Sequence, residues 1–412
     1  MPTMSIEQDL HMVSGNGETS YAKNSRLQEK AMFVIKPVLE KAVREAYTNL
    51  HPQTMMVTDL GCSSGPNTLH FVSEVIDAIT RHCNELNQRH EQVQLQFILN
   101  DLPDNDFNYL FRLVEQFKES KAKTHMGEPL PPCYISGLPG SYYTRLFPCR
   151  TVHLFHSLFC LQWRSQAPEG LEGVNKTSQD EGDIYITQTS SSSVVKLYQE
   201  QFKKDFSLFL RLRYEELVFG GQMVLTFIGR KNEDVLSGDS NHHLYGLLAQ
   251  SLQSLVDEVR KVAQSQYRIG IWGTLQKCTV PLFSPKVNMG LLQKKKLESF
   301  YVPVYSPSVG EVENVVKQSG LFDINHLQLF EVNWDPYDDD SESTVLHDSV
   351  QSGVNVSKCF RAVMESLVAS HFQAGDAILD MLFAEYANRV TKHLAVEKTK
   401  HAIVVVSLKK AF

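Results

Sequence analysis

The chain contains 412 residues, 42% of them hydrophobic, so it can bury one large core and intrinsic disorder is not its default state. Its net charge of −7 provides no broad cationic field, which argues against a nucleic-acid partner. The N-terminus lacks a signal-peptide pattern, and no stretch approaches the roughly 20 apolar residues that a membrane span needs. We therefore expect a soluble cytoplasmic protein, without membrane contact, whose seven cysteines are free thiols.

Buried strands alternate with helices along the chain. Apolar residues at helical spacing and short apolar runs define these elements. The predicted helices cover 23–50, 67–90 and 193–218, and the predicted strands cover 55–60, 95–100, 152–157, 222–229 and 403–410. This alternation is typical of an α/β fold with a largely parallel sheet, in which ligands bind at the carboxyl edge of the strands.

Two regions differ in their predicted role. We expect 1–241 and 395–412 to form the α/β core, which contains the ligand-binding edge of the sheet. The segments 242–258 and 290–394 are predicted to be mostly helical and to add no strand to the sheet, so 242–394 is interpreted as a cap that binds the substrate. Between them, 259–289 carries five basic and no acidic residues and has no clear period. We interpret 259–289 as an exposed, poorly ordered insertion, which translation through a retained intron would explain.

A glycine-rich turn follows the first predicted strand. It reads Asp59-Leu-Gly61-Cys-Ser-Ser-Gly65-Pro-Asn67 and leads into a helix, an arrangement that brings backbone amides close to a ligand. The spacing is neither that of a dinucleotide site nor that of a phosphate loop. A ligand without a phosphate chain, such as S-adenosylmethionine, fits better. Asp101 ends the second predicted strand, where an acid can accept hydrogen bonds from ribose hydroxyls.

Seven ordered motifs carry a resemblance to a known family. They are SYAKNSRLQ (20–28), DLGCSSGPN (59–67), NDLPDNDFN (100–108), PGSYYTRLFP (139–148), HSLFCLQW (156–163), RYEELVFGGQMVLTFIGR (213–230) and KTKHAIVVVSL (398–408). With these motifs the chain resembles the plant SABATH carboxyl methyltransferases, and within them the grass anthranilate and benzoate/salicylate enzymes. The resemblance implies a Rossmann-like methyltransferase sheet with a helical cap subdomain, and a homodimer.

The resemblance also implies a site for each ligand. Residues that would contact S-adenosylmethionine are Tyr21, Ser25, Asp59, Cys62, Asn67, Asp101, Leu102, Ser141 and Tyr142. Gln28 and Trp163 would bind the acceptor carboxylate. The rest of the acceptor pocket would consist of Phe159, Gln162, Leu244, Tyr245, Tyr305, Phe360, Val363 and His401. Some relatives bind Mg²⁺, and the corresponding positions here are Asp180, Glu298 and Phe300.

The predicted reaction is methyl esterification of a small aromatic acid, of the benzoate, salicylate or anthranilate class. A carboxylic acid of pKa about 4 is ionised at neutral pH, so no general base is required. Position 162 bears on the choice of acid, because the resemblance places histidine there in N-methylating relatives and methionine in salicylate-type ones. The amide of Gln162 can bond to an ortho substituent such as an amine.

Three other interpretations stay open. The acceptor can be another plant acid, such as indole-acetate or jasmonate. It can also be a nitrogen or a phenol, and a phenol of pKa about 10 would need a base, for which His156 and His401 are candidates. Finally, the chain can be a binding protein without catalytic activity.

Overall fold

The computed structural model describes residues 6–85, 93–124, 130–171, 182–238, 240–271, 294–339 and 348–411. Within them, seven strands form one sheet. The strands are β1 (Thr54–Leu60), β2 (Gln94–Asp101), β3 (Cys133–Pro139), β4 (Val152–Leu158), β5 (Leu217–Gly229), β6 (Phe322–Asn333) and β7 (Lys400–Lys410). The predicted α/β fold with a largely parallel sheet is confirmed.

The sheet reverses its strand order beside β1. The order is β3-β2-β1-β4-β5-β7-β6, with β1 to β5 parallel and β7 antiparallel to both of its neighbours. The chain runs outward from β1 to β3 and then returns to the other side of β1 as β4. Such a reversal opens a crevice at the carboxyl ends of the two central strands, where ligands bind in α/β sheets.

Helices cover both faces of the sheet. They are α1 (Ile6–Asp9), α2 (Tyr21–Asn24), α3 (Arg26–Leu50), α4 (Asn67–Glu85), α5 (Phe107–Thr124), α6 (Ser192–Glu216), α7 (Ser240–Ile271), α8 (Lys294–Glu298), α9 (Val309–Ser319), α10 (Ser349–Phe372) and α11 (Asp376–Leu394). Apolar residues of α3, α4 and α5 pack on one face, and those of α6 and of the helices that follow it pack on the other. None of the helices in the described ranges has the length and apolar character to cross a bilayer.

The two edge strands depart from the predictions. The segment 322–333 pairs with β7 along its whole length, so the prediction that 290–394 adds no strand to the sheet is wrong there. Strand β3 was not predicted at all. Both strands have one pairing partner and alternate between covered and exposed residues, so neither has the continuous apolar run of a central strand.

Apart from that strand, helices α7 to α11 make up most of the described part of 242–394, and the chain between α8 and α9 is not helical. Helix α10 packs against α1, α2 and α11, and α11 packs against α7. Of the predicted insertion 259–289, residues 259–271 continue helix α7. The rest, 272–289, lies outside the described residues, so the proposed insertion and the domain boundaries stay predictions.

Candidate functional site

A cavity opens at the carboxyl edge of the sheet, where the strand order reverses. Its walls come from the segments after β1, β2, β3 and β4, from α2, α3 and α10, and from the chain before α2. The described residues that line it are Leu10, His11, Met12, Tyr21, Gln28, Gly61, Ser63, Asp101, Leu102, Tyr142, Leu158, Phe159, Cys160, Gln162, Trp163 and Val363. Nine of the residues predicted from the sequence therefore meet in one cavity.

The turn after β1 needs glycine at position 61. Gly61 has a φ of 74°, and a Cβ atom there would clash with Sγ of Cys160 on the neighbouring turn. Both features exclude an ordinary side chain. The N–H groups of Gly61 and Cys62 donate to the Asn100 carbonyl at 2.8 and 2.9 Å, which ties the turn to the end of β2.

Asp101 lines the cavity and is the residue predicted to accept from the ribose of the cofactor. Its Oδ2 accepts from the Ser63 N–H at 2.6 Å, and its Oδ1 accepts from the Leu102 N–H at 2.7 Å. Burial raises the pKa of Asp101 to about 6, the two N–H bonds oppose that rise, and the nearby Asp59 adds to it. Carboxylate oxygens have more than one lone pair each, so both can accept a further bond from a ligand hydroxyl.

Two residues that line the cavity have left-handed backbones without being glycine. Ser63 has a φ of 53° and Phe159 a φ of 57°. Such conformations cost about 1–3 kcal/mol each and persist where the surroundings hold them. The Phe159 N–H donates to the Thr226 carbonyl at 2.7 Å, while the Ser63 carbonyl accepts from Asn105 Nδ2 at 3.1 Å. The hydroxyl of Ser63 is buried without a hydrogen-bond partner among the described residues.

Several predicted cofactor residues lie just behind the cavity wall. Asp59 Oδ1 is 2.7 Å from Nδ1 of His156, and Asn67 Nδ2 donates to the Ser25 carbonyl at 3.0 Å. Cys62 and Ser141 are also buried. Asn67 thus ties the start of α4 to the start of α3. The predicted cofactor residues that line the cavity itself are Tyr21, Asp101, Leu102 and Tyr142.

Among the predicted acceptor residues, Gln162 has a fixed orientation. Its Nε2 donates to the Phe159 carbonyl at 2.7 Å, and turning the amide over would bring two oxygens together. Its Oε1 is therefore left buried with no partner in the described part of the chain. The Gln28 Oε1 is in the same situation. A buried amide oxygen in a cavity wall is an acceptor that a donor from a ligand or a water can satisfy.

The Trp163 main chain is held on both sides. Its N–H donates to the Cys160 carbonyl at 2.9 Å, and its carbonyl accepts from the Tyr143 hydroxyl at 2.6 Å. It also forms an antiparallel bridge with Val304. Trp163 is 4% exposed and lines the cavity, so its main chain is fixed by these bonds and its side chain is enclosed.

Five predicted acceptor residues lie outside this lining. Leu244 is buried in the core, and the rings of Tyr245 and Phe360 are 5.6 Å apart, with Phe360 stacked on Tyr386. The Tyr305 hydroxyl donates to Glu311. His401 is buried 6.1 Å from the Trp334 ring, and burial lowers its pKa to about 3.

Neither candidate base faces the cavity. His156 is buried between Asp59 and the Phe71 ring, whose centroid is 4.1 Å away, and His401 lies on β7 behind the wall. His11 does line the cavity, with Nδ1 3.2 Å from the Met12 carbonyl. The site therefore lacks the two histidines on which the phenol interpretation depends.

The predicted metal residues do not form a metal site in the described part of the chain. Asp180 lies outside the described residues. Glu298 pairs with Lys294 at 3.4 Å, and the buried Phe300 ring packs against His371 and Phe372. No cluster of three or more histidine, cysteine, aspartate or glutamate side chains within the described ranges could hold a metal ion. The described residues thus give no support for magnesium, and the metal site stays a prediction.

Sequence reasoning missed part of the lining. Ser63 and Cys160 lie inside the quoted motifs, and the positive φ of Ser63 is not readable from its residue type. Leu10, His11 and Met12 reach the cavity because their backbone is tied to α10: the His11 N–H donates to Ser366 Oγ at 3.1 Å. That long-range contact leaves no local sequence signal.

A solved structure shares this architecture. Loganic acid methyltransferase with SAH superposes with a TM-score of 0.75 at 27% identity, covering 97% of this chain and 99% of that one. The sheet order and the strand-end site thus define an α/β methyltransferase with a Rossmann-like sheet.

The sequence comparisons give the family. The profile for "SAM dependent carboxyl methyltransferase" matches residues 7–274 and 260–411. Anthranilate O-methyltransferase 2 of Zea mays is 63% identical over 412 residues, covering 99% of both chains. Inactive anthranilate O-methyltransferase 1 of Zea mays is also 63% identical, covering 99% of this chain and 98% of its own. The chain belongs to the S-adenosylmethionine-dependent carboxyl methyltransferase family, and the predicted resemblance and cofactor are confirmed.

Proposed function

We propose that the protein transfers a methyl group to the carboxylate of a small aromatic acid that carries an ortho amine, the class of anthranilate. The buried Oε1 of Gln162, without a donor of its own, is the observation on which this choice rests. A buried acceptor left unpaired costs about 1–3 kcal/mol. An amine has two N–H groups, so one can bond to the acid's own carboxylate while the other donates to Gln162. The name of the 63% identical maize relative points to the same acid.

Other acids satisfy this amide less well. Benzoate has no ortho donor, and salicylate has one O–H group, which its own carboxylate engages. Indole-acetate and jasmonate carry no amine beside the carboxylate. Differences of 1–3 kcal/mol correspond to roughly 5- to 150-fold in kcat/KM. Anthranilate is therefore the expected preferred substrate.

The donor side is prepared by residues at the strand ends. S-adenosylmethionine supplies, when bound, a methyl group on a sulfonium sulfur. Asp101 has lone pairs available for ribose hydroxyls, and Tyr21, Leu102 and Tyr142 complete the wall around it. Gly61 keeps the turn free of a side chain that would narrow the cavity.

Orientation is the main catalytic device in this proposal. Gln28 and Trp163 lie on the acceptor side of the cavity, where the carboxamide N–H and the indole N–H can each donate to one carboxylate oxygen. Holding nucleophile and methyl group in near-attack geometry can contribute about 7–11 kcal/mol. The acid is already ionised at neutral pH, so no proton has to be removed.

Two cysteine thiols near the donor side stay protonated. Burial raises the pKa of Cys62 and of Cys160 well above the usual thiol value, and the Asp101 and Asp59 carboxyls add to the rise. A thiolate is a strong nucleophile and would compete with the acid for the methyl group. The neutral thiols leave the carboxylate as the acceptor.

An acid panel tests the proposal. Purified protein with radiolabelled S-adenosylmethionine is assayed against anthranilate, benzoate, salicylate, indole-acetate and jasmonate, together with a phenol and a xanthine. We expect the highest kcat/KM for anthranilate. A higher kcat/KM for any other compound would identify that compound as the preferred acceptor instead. Cofactor binding without any product would support an inactive protein, as the name of one maize relative states for that relative. Magnesium, a homodimer and a cytoplasmic location stay predictions.

A further inference from the structure

An extended segment over 302–308 runs beside the turn that carries Gln162 and Trp163. The Arg164 N–H donates to the Pro303 carbonyl at 2.8 Å, and the Tyr305 N–H donates to the Gln162 carbonyl at 2.9 Å. Together with the bridge between Trp163 and Val304, these bonds pair the two segments like short strands. The position of 302–308 therefore fixes the main chain from which both side chains extend into the cavity.

A buried arginine anchors that segment. Arg230 follows β5 and is 2% exposed. Its Nη1 donates to the Ser306 carbonyl at 2.8 Å, to the Tyr305 hydroxyl at 3.0 Å and to Glu311 Oε2 at 2.7 Å. Its Nε and Nη2 donate to the carbonyls of Asn232 and Glu233. All three guanidinium nitrogens are thus engaged, so the segment is tied to the end of a central strand.

Glu311, which accepts from Arg230, is itself held in place. It is the third residue of α9, where its Oε2 accepts from the Ser308 N–H at 3.1 Å in a capping box. The Tyr305 hydroxyl donates to Glu311 Oε1 at 2.8 Å. Burial raises the pKa of Tyr305, so the hydroxyl stays protonated and keeps donating. Directional bonds of this kind set a position more sharply than apolar packing does.

The Tyr305 side chain does not line the cavity. Its ring packs 5.3 Å from Phe202 and its hydroxyl turns to Glu311 and Arg230, so it contributes to the site only through its main chain. We propose that Arg230, Tyr305 and Glu311 form a positioning cluster, which sets the acid preference by holding 302–308 against Gln162 and Trp163. This inference rests on the proposed function, because the preference that it explains is the one assigned to Gln162.

A double-mutant cycle separates positioning from general stability. Tyr305→Phe removes one hydroxyl, and its effect is measured on the ratio of kcat/KM for anthranilate to that for benzoate, with and without Gln162→Met. We expect the ratio to fall about 10-fold in the wild-type background and less than 2-fold beside Gln162→Met. The KM for S-adenosylmethionine should stay unchanged. Glu311→Gln keeps a residue suited to the capping box and should reproduce the fall.

Tyr47→Phe is the matched control. It removes the hydroxyl of another covered tyrosine, which contacts Cys83 in the core on the other side of the sheet, and should leave the ratio unchanged. An unchanged ratio in Tyr305→Phe, whether both rates stay the same or fall equally, would overturn the positioning role. If the wild type prefers an acid other than anthranilate, the proposed function fails by itself. The cluster is then tested by whether Tyr305→Phe lowers kcat/KM for that acid while the KM for S-adenosylmethionine stays unchanged.

Discussion

Asp101 and Ser63 lie at the ends of neighbouring strands and are joined by a 2.6 Å hydrogen bond, donated by the Ser63 N–H to Oδ2 of Asp101. The bond holds Ser63 in its left-handed conformation and places the turn after β1 against the end of β2. The same carboxyl lines the cavity. Asp101 therefore holds the glycine turn in place, and in the proposed function the same carboxyl accepts from the cofactor.

Asp101→Asn should weaken cofactor binding. The amide keeps the size of the side chain but turns one acceptor oxygen into a donor, which faces an N–H group or a ribose hydroxyl. Hydrogen bonds to a charged group contribute about 1.5–3 kcal/mol, so we expect the KM for S-adenosylmethionine to rise roughly 10- to 100-fold. Steady-state kinetics at saturating acid measures the change, and kcat should change much less. An unaltered KM would contradict this role.

Cofactor affinity should also depend on pH through the same residue. Because the pKa of Asp101 is raised to about 6, the carboxyl of the free protein is ionised at pH 7 and becomes protonated as the pH falls to 5. The protonated form has less acceptor capacity, so affinity should fall over that interval. Calorimetric titration at pH 7, 6 and 5 measures it. The asparagine variant should have a flatter profile, and parallel profiles would argue that another group titrates.

Gln28→Ala and Trp163→Phe test the carboxylate contacts. Each removes one N–H donor, and Trp163→Phe retains most of the buried aromatic surface. We expect each variant to lose about 10- to 100-fold in kcat/KM for the acid, because a charge-assisted bond and the orientation that it gives are both lost. The KM for S-adenosylmethionine and the melting temperature are the controls and should change little. Full turnover in both variants would remove the proposed contacts.

Local sequence signals predicted the central part of the site. The apolar runs of β1 and β2 end at Leu60 and Asp101, and parallel strands bring such ends to one edge, so the turn and the acid could be placed together from the sequence alone. The glycine at 61 was identified because a close approach excludes a side chain.

Side-chain direction and loop docking depend on long-range packing and could not be predicted from the sequence. Tyr305 was predicted to line the acceptor pocket, yet its hydroxyl is directed to Glu311 and Arg230, groups 6 and 75 residues away in the chain. Leu10 reaches the cavity only because the chain before α2 is tied to α10. Side-chain direction and loop docking depend on partners that no local period encodes.

Gln162→Met should change the acid preference. Methionine is close to glutamine in length but lacks the amide oxygen that we assign to an ortho amine. We expect kcat/KM for anthranilate to fall about 10-fold and the preference to shift towards salicylate, since the apolar side chain leaves no unpaired acceptor. Rates for anthranilate, benzoate and salicylate measured in one competition assay give the comparison. An unchanged order of the three acids would contradict the assignment of the amide.

His401 should make the protein less stable in acid. Burial lowers its pKa from 6.5 to about 3 in the folded protein, so below pH 6.5 the unfolded chain binds a proton that the folded chain does not. The free energy of unfolding that depends on neutral His401 is fully present above pH 6.5 and is lost as the pH falls towards 3. At about 1.4 kcal/mol per pH unit, the loss between pH 7 and 5 is about 1–2 kcal/mol. Urea unfolding of wild type and His401→Gln at pH 7, 6 and 5 measures the difference, and curves that shift in parallel would show that other groups carry the acid sensitivity.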